Sequence, residues 1–122
     1  MSAASEANAK IGRSWLAAFN AHDVGALVEL YATDATHTSP KIRALHPKSG
    51  GKLHGHAALK AWWSDAISRL PTLRYEELTV TASDERVFLE YLRHASDGPP
   101  YPVAEVFDVR AGKIIASRVY HG

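Results

Sequence analysis

The chain has no cysteine. That excludes a disulfide framework, an iron–sulfur cluster, a thiolate nucleophile and a cysteine zinc site. Long hydrophobic runs are lacking too, and nothing approaches the roughly 20 apolar residues that carry a helix across a bilayer. The opening residues Met1-Ser2-Ala3-Ala4-Ser5-Glu6 have neither the basic start nor the apolar stretch of a signal peptide. The expectation is a soluble cytoplasmic protein with no membrane partner. A large excess of one charge is also missing: 14 basic against 13 acidic residues leave +1, too little for a protein built to grip nucleic acid. Phosphate-loop, dinucleotide, His-Glu-x-x-His and Gly-x-Ser-x-Gly patterns are absent. Ser49-Gly50-Gly51-Lys52 has glycines and a lysine but neither the preceding strand nor the spacing of a phosphate loop. His54-Gly55-His56 is the one close histidine pair, with no carboxylate nearby in sequence. No metal and no cofactor are therefore expected.

What is present suits one globular domain over residues 1–122. Hydrophobic residues make up 46% and charged residues 22%, and a chain of this length buries roughly two thirds of its unfolded surface. Ile11, Trp15, Ala18 and Phe19 recur at helical spacing, so Ser5–Ala21 reads as a helix. Asp23 reads as the N-cap of a short second helix with Val24, Leu27, Val28 and Tyr31 on one face. Ala35–Ser39 reads as an edge strand stopped by Pro40, and Lys41–Leu53 as a long loop. Gly55–Leu70 is a helix with Leu59, Trp63, Ala66, Ile67 and Leu70 on one face, ended by Pro71. Trp63 belongs to the core and edges any hollow beneath it; Trp62 leans toward a pocket or a partner chain.

From Leu73 the hydrophobic period changes to two. Leu73–Ala82, Arg86–His94, Val103–Arg110 and Lys113–His121 read as strands of an antiparallel meander. Helices then strands in one chain give an α+β fold, with the helices covering one sheet face.

The last hairpin turns on Ala111-Gly112. A two-residue turn puts Glu105 opposite Arg118, as a surface pair worth at most about 1 kcal/mol, and aims 104, 106, 117, 119 and 121 at one face. A bulged turn instead swings Glu105 inward as a buried carboxyl able to act as a base. On Arg86–His94, either Tyr91 and Arg93 or Glu90 and His94 face inward. Between Asp34 and Asp65 there is no acidic residue, but there are Lys41, Arg43, Lys48, Lys52 and Lys60. Arg43 and the lysines are candidates to hold a carboxylate or phosphate at a pocket rim.

Phe19-Asn20-Ala21-His22-Asp23, Leu30-Tyr31-Ala32-Thr33-Asp34-Ala35-Thr36, Gly55-His56-Ala57-Ala58-Leu59 and Gly112-Lys113-Ile114 occur in an order that resembles the nuclear transport factor two-like superfamily, the group of ketosteroid isomerases and SnoaL-type polyketide cyclases. The resemblance spans essentially the whole chain. It implies a cystatin-like or SnoaL-like α+β cone, a curved antiparallel sheet wrapped around the long helix with a mostly apolar pocket at its open end, and homodimers through the outer sheet. By the same resemblance the isomerase base falls at Ser39, which cannot take that role, and the oxyanion donor of the first helix falls at Trp15. The second oxyanion acid falls at Ala104, next to Glu105, and a pocket-lining residue at His121.

His37 shares a face with Ser39 on a period-two strand. His37 and His121 are thus the candidate proton-transfer residues. Trp15, Ser39, Arg43, Trp63, Tyr91 and Glu105 are the candidate ligand contacts. The function these residues suggest is binding of a small hydrophobic, perhaps anionic, molecule with isomerase, cyclase or hydratase chemistry. The alternative is a non-catalytic ligand-sensing or dimerisation module, because this fold hosts many functions.

Overall fold

A computed structural model describes residues 2–121. Helix α1 (Ala3–Asn20) begins where the Ser2 hydroxyl accepts the Ser5 N–H at 3.0 Å, an ordinary N-cap. Its buried face includes Trp15, Leu16, Ala18 and Phe19. Helix α2 (Val24–Glu29) is capped by Asp23, whose carboxylate accepts from Ala26 N at 3.0 Å. Tyr31, placed on this helix by its spacing, instead opens strand β1 (Tyr31–Thr38). Leu30 closes the helix, and Tyr31 already pairs with Ile114 of the last strand.

The 41–53 stretch is not one loop. Ser39 caps helix α3 (Pro40–Leu45), its Oγ accepting Lys41 N at 3.1 Å and Ile42 N at 3.4 Å. A 3₁₀ turn (Pro47–Ser49) and strand β2 (Lys52–His54) follow, and β2 pairs antiparallel with β1. The proline that ends β1 also starts α3, because its fixed φ and missing N–H suit the first helical position. Helix α4 (His56–Arg69) comes next.

The meander forms as β3 (Arg74–Ala82), β4 (Arg86–Ala95), β5 (Gly98–Arg110) and β6 (Lys113–His121). The sheet order is β2-β1-β6-β5-β4-β3, with β1 joined to β6 in parallel. Strand β5 begins five residues earlier than its sequence pattern suggests. Its Pro99, Pro100 and Pro102 lie beyond the end of β6, where β5 has a neighbour on one side only and a missing N–H costs little. Helix α1 packs on β3 and β4, and α4 lies against β1 and β2. Gly12 permits the first contact, since a Cβ there would stand 3.0 Å from Val87 Cγ1.

Ala111 (φ +52°) and Gly112 (φ +76°) make a tight turn with both residues left-handed. Arg110 pairs with Lys113 and Val109 with Ile114, but Asp108 pairs with Ala116. Ile115 is therefore an extra residue, a β-bulge, and every pair beyond it is shifted by one. Glu105 stands opposite Val119, not Arg118. Arg118 pairs with Asp108 at 2.7 Å on the outer face. The inner face carries 103, 105 and 107 with 117, 119 and 121. The 104/106 assignment of the plain two-residue turn is corrected accordingly.

Candidate functional site

A cavity of about 320 Å3 opens between α3, α4, the end of α1 and the inner sheet face. Phe19, Trp62, Trp63, Leu73, Val103 and Val119 give it apolar walls. Its polar lining comes from His37 and Ser39 on and after β1, Tyr75 on β3, Tyr91 and Arg93 on β4, Glu105 on β5 and His121 at the end of β6. Tyr91 and Arg93, not Glu90 and His94, face inward, since residues 87, 89, 91 and 93 of β4 are the buried set.

Glu105 is 3% exposed. Its Oε1 accepts from the Tyr91 hydroxyl at 2.9 Å, and its Oε2 has no partner among the described residues. Burial pushes the carboxyl up to about 8, and the Tyr91 hydrogen bond only moderates that. At neutral pH it is mostly a neutral acid. Tyr91, buried beside Glu105 and stacked at 4.1 Å on Tyr75, is held well above the ordinary phenol range by burial and the nearby carboxyl.

His37 is 2% exposed. Its Nδ1 lies 2.6 Å from Ser117 Oγ, directly across the β1–β6 pairing. Ser117 Oγ is 2.9 Å from the Tyr31 hydroxyl, and Trp15 Nε1–H donates to that hydroxyl at 3.1 Å. An indole N–H only donates. An acceptor for each hydroxyl proton is found when Tyr31 O–H donates to Ser117 Oγ and Ser117 O–H donates to His37 Nδ1. That order gives the Trp15, Tyr31 and Ser117 protons an acceptor each and leaves the imidazole proton on Nε2. Burial pushes His37 down to about 4, so the ring is neutral at physiological pH. Sequence alone reads this histidine as titrating near neutrality; its burial instead keeps the ring neutral.

Of the other candidates, Trp15 and Arg43 lie outside the lining and Ser39, Trp63 and His121 border the cavity. Trp15 is fully buried, does not line the cavity, and spends its N–H on Tyr31. Arg43 is exposed on α3 and outside the lining; Lys41, two residues earlier on the short helix, takes the rim instead. Ser39 lines the cavity with its oxygen committed to capping α3. Trp63 lies 5.2 Å from the His37 ring. His121 stands at the mouth, edge-on to Tyr101, and partial burial with the Lys41 and Arg93 charges lowers its pKa. Ser117 and Tyr31 were not among the sequence candidates, because their role depends on the parallel β1–β6 pairing that no local pattern announces. No cluster of His, Asp or Glu arranged for a metal occurs among the described residues.

The comparisons agree with this architecture. The chain aligns over 93% of its length with 92% of a SnoaL-like protein of unknown function from Burkholderia thailandensis, at 25% identity and a TM-score of 0.82. It aligns over 92% with 85% of a protein of ketosteroid isomerase-like fold from Catenulispora acidiphila, in complex with trimethylamine, at 19% identity and a TM-score of 0.73. It aligns over 95% with 92% of TerC co-crystallised with polyporic acid, at 18% identity and a TM-score of 0.81. A search of curated proteins gives no match. The model of the SnoaL-like domain family matches residues 13–117, and with the helices, curved sheet and inner cavity in place, the chain belongs to that family.

Proposed function

We propose that the protein binds an apolar small molecule in this cavity and moves a proton on it, in an isomerase-, cyclase- or hydratase-type step. The observation that carries the reading is the buried Glu105 carboxyl, held near pKa 8 with one oxygen unpartnered in a greasy hollow. Such a group is expensive to keep for stability alone. Its carboxylate form is a stronger base than free glutamate and suits removal of a proton from carbon beside a carbonyl. The same carboxyl then returns the proton at a second carbon, so the protein ends unchanged. His37 Nε2–H donates to the oxygen on which charge develops. His121 meets the outer end of the ligand. Small molecules held by TerC and by the Catenulispora protein support binding in this fold.

A non-catalytic sensing role draws on a different observation: Ser39, where the isomerases carry their base, is a helix cap. One experiment separates the two. Exchange of the acidic α-proton of 2-tetralone in D2O, followed by NMR, should be accelerated, with a rate that rises and levels above an apparent pKa near 8. Glu105→Gln should cut it about 10²–10⁴-fold, and His37→Ala by a smaller factor. Binding of the ketone without exchange favours the sensor. Exchange unaffected by Glu105→Gln, or by both His37→Ala and His121→Ala, removes the assignment of those residues.

We also propose a homodimer through the outer sheet face. Phe88 (41% exposed) pairs with Val106, and Ala104 pairs with Tyr120 (54% exposed), giving an apolar patch on that face. Light scattering at micromolar concentration should give twice the chain mass, and Phe88→Glu should give the monomer. A wild-type monomer sinks the proposal.

A further inference from the structure

The cavity mouth carries more positive than negative charge. Lys41, Arg69 and Arg93 line it, with Asp97 as the acidic residue among them. Arg69 is paired with Asp65 at 2.9 Å, outside the lining. Arg93 is buried, and both its terminal nitrogens hold the Asp97 carboxylate at 2.9 Å. Asp97 uses two of the five guanidinium N–H groups. Lys41 has no ion-pair partner among the described residues. Among the described residues of the mouth one cation is thus left without an ion pair, and it stands where the apolar hollow meets water.

We infer that the ligand is an apolar monocarboxylate, its acid group seated at the mouth on Lys41 with Arg93 beside it and its neutral end directed inward. This rests on the reading of the cavity as a ligand site and adds the ligand's charge and orientation. A single carboxylate cancels a single surplus charge, whereas a dianion overshoots it. At the rim the carboxylate keeps part of its hydration, so the attraction is not consumed by desolvation. The deep end cannot take the anion: Glu105 lies there, and a second negative group in that low-dielectric wall is repelled once Glu105 ionises and poorly solvated before it does. Lys41 shows the matching strain, since partial burial and the Arg93 and Arg69 charges lower its pKa against the opposing pull of Asp97. A bound carboxylate relieves that strain.

The test is a calorimetric titration at pH 7 and low salt with 2-naphthoate and with its neutral ester, methyl 2-naphthoate. Wild-type protein should bind the carboxylate at least tenfold more tightly than the ester. Lys41→Gln, a change at an exposed position, should bring the two within about twofold by weakening the carboxylate alone. Arg43→Gln, exposed and outside the lining, should keep the wild-type preference. Equal binding of the two probes, or a preference that survives Lys41→Gln, overturns the inference and leaves the cavity reading standing. Failure of both probes to bind at millimolar concentration overturns both.

Discussion

Replacing Glu105 with glutamine should abolish most of the loss of stability that the wild-type protein suffers as the pH rises from 5 to 9. In the folded protein the carboxyl is held up from 4.5 to about 8. Between those values the native state keeps a proton that the unfolded chain has released, so unfolding releases a proton and is favoured by rising pH. Each unit of pH in that window lowers stability by about 1.4 kcal/mol, and the whole window by about 5 kcal/mol. That is a large share of the 5–15 kcal/mol typical of a domain. Glutamine keeps an oxygen to accept from the Tyr91 hydroxyl, fills the same space and does not titrate. Urea midpoints of the two proteins should nearly coincide at pH 5, where Glu105 is largely neutral, separate steadily up to about pH 8 and then level off, with the variant more stable. Parallel curves across that range mean that the carboxyl titrates normally and is not shielded as the fold implies.

His37 acts in the opposite direction. Its folded pKa of about 4 lies below the usual 6.5, so the unfolded chain binds the extra proton and stability falls as pH drops from 6.5 to 4, by about 3 kcal/mol. Arg118 and Arg93 hold Asp108 and Asp97 below the usual carboxylate range, and these groups also weaken the fold as acid protonates them. Stability should peak near pH 5–6, set by two buried groups of the site pulling against each other. The group responsible for the alkaline loss is the one proposed to carry the proton, so the stability curve and the exchange-rate curve should share an inflection near pH 8.

The inward turn of Glu105 was half written in the sequence. Along β5 the alternation Val103-Glu105-Phe107-Val109 is bulkier than Ala104-Val106-Asp108-Arg110, and bulk goes inside; all four of the first set are buried. The competing signal was the Ala111-Gly112 turn, which sets a register that places Glu105 opposite Arg118. The bulge at Ile115 breaks it, because Ile114 and Ser117 are both fully buried and their odd spacing cannot hold one face of a regular strand. His37 and Ser39 on one face, the Asp23 cap and the four-strand meander were legible because each depends on neighbours within a few residues. Helix α3 carried its own signature in Ser39-Pro40, cap then first-turn proline. The Tyr31 and Ser117 roles were not legible: they arise from a parallel pairing of strands about 80 residues apart, and such pairing leaves no local period. Lys41 rather than Arg43 at the rim follows from where that short helix begins.

Ser117→Ala should cost about 2–5 kcal/mol and scramble the protonation of His37. The hydroxyl lost is the one link between Tyr31 and His37, and its removal leaves a buried phenol O–H and a buried imidazole nitrogen unpaired, each costing about 1–3 kcal/mol. Cavity formation adds little, since only one oxygen is removed. The stability loss alone is what any buried polar deletion brings; the tautomer is the sharper readout. Nitrogen-15 shifts of His37 should show the proton on Nε2 in the wild-type protein and a mixture of both ring forms in the variant, because Nδ1 no longer has a proton aimed at it. The rate of 2-tetralone exchange should fall in proportion to the Nε2–H form that is lost, while the ketone still binds, since the donor facing the ligand is then present in only part of the molecules. An unchanged tautomer in Ser117→Ala means that the Trp15–Tyr31–Ser117 chain does not orient His37. In the intact protein the order is imposed from the far end: an indole that can only donate fixes Tyr31, Tyr31 fixes Ser117, and Ser117 leaves the imidazole a single way to hold its proton.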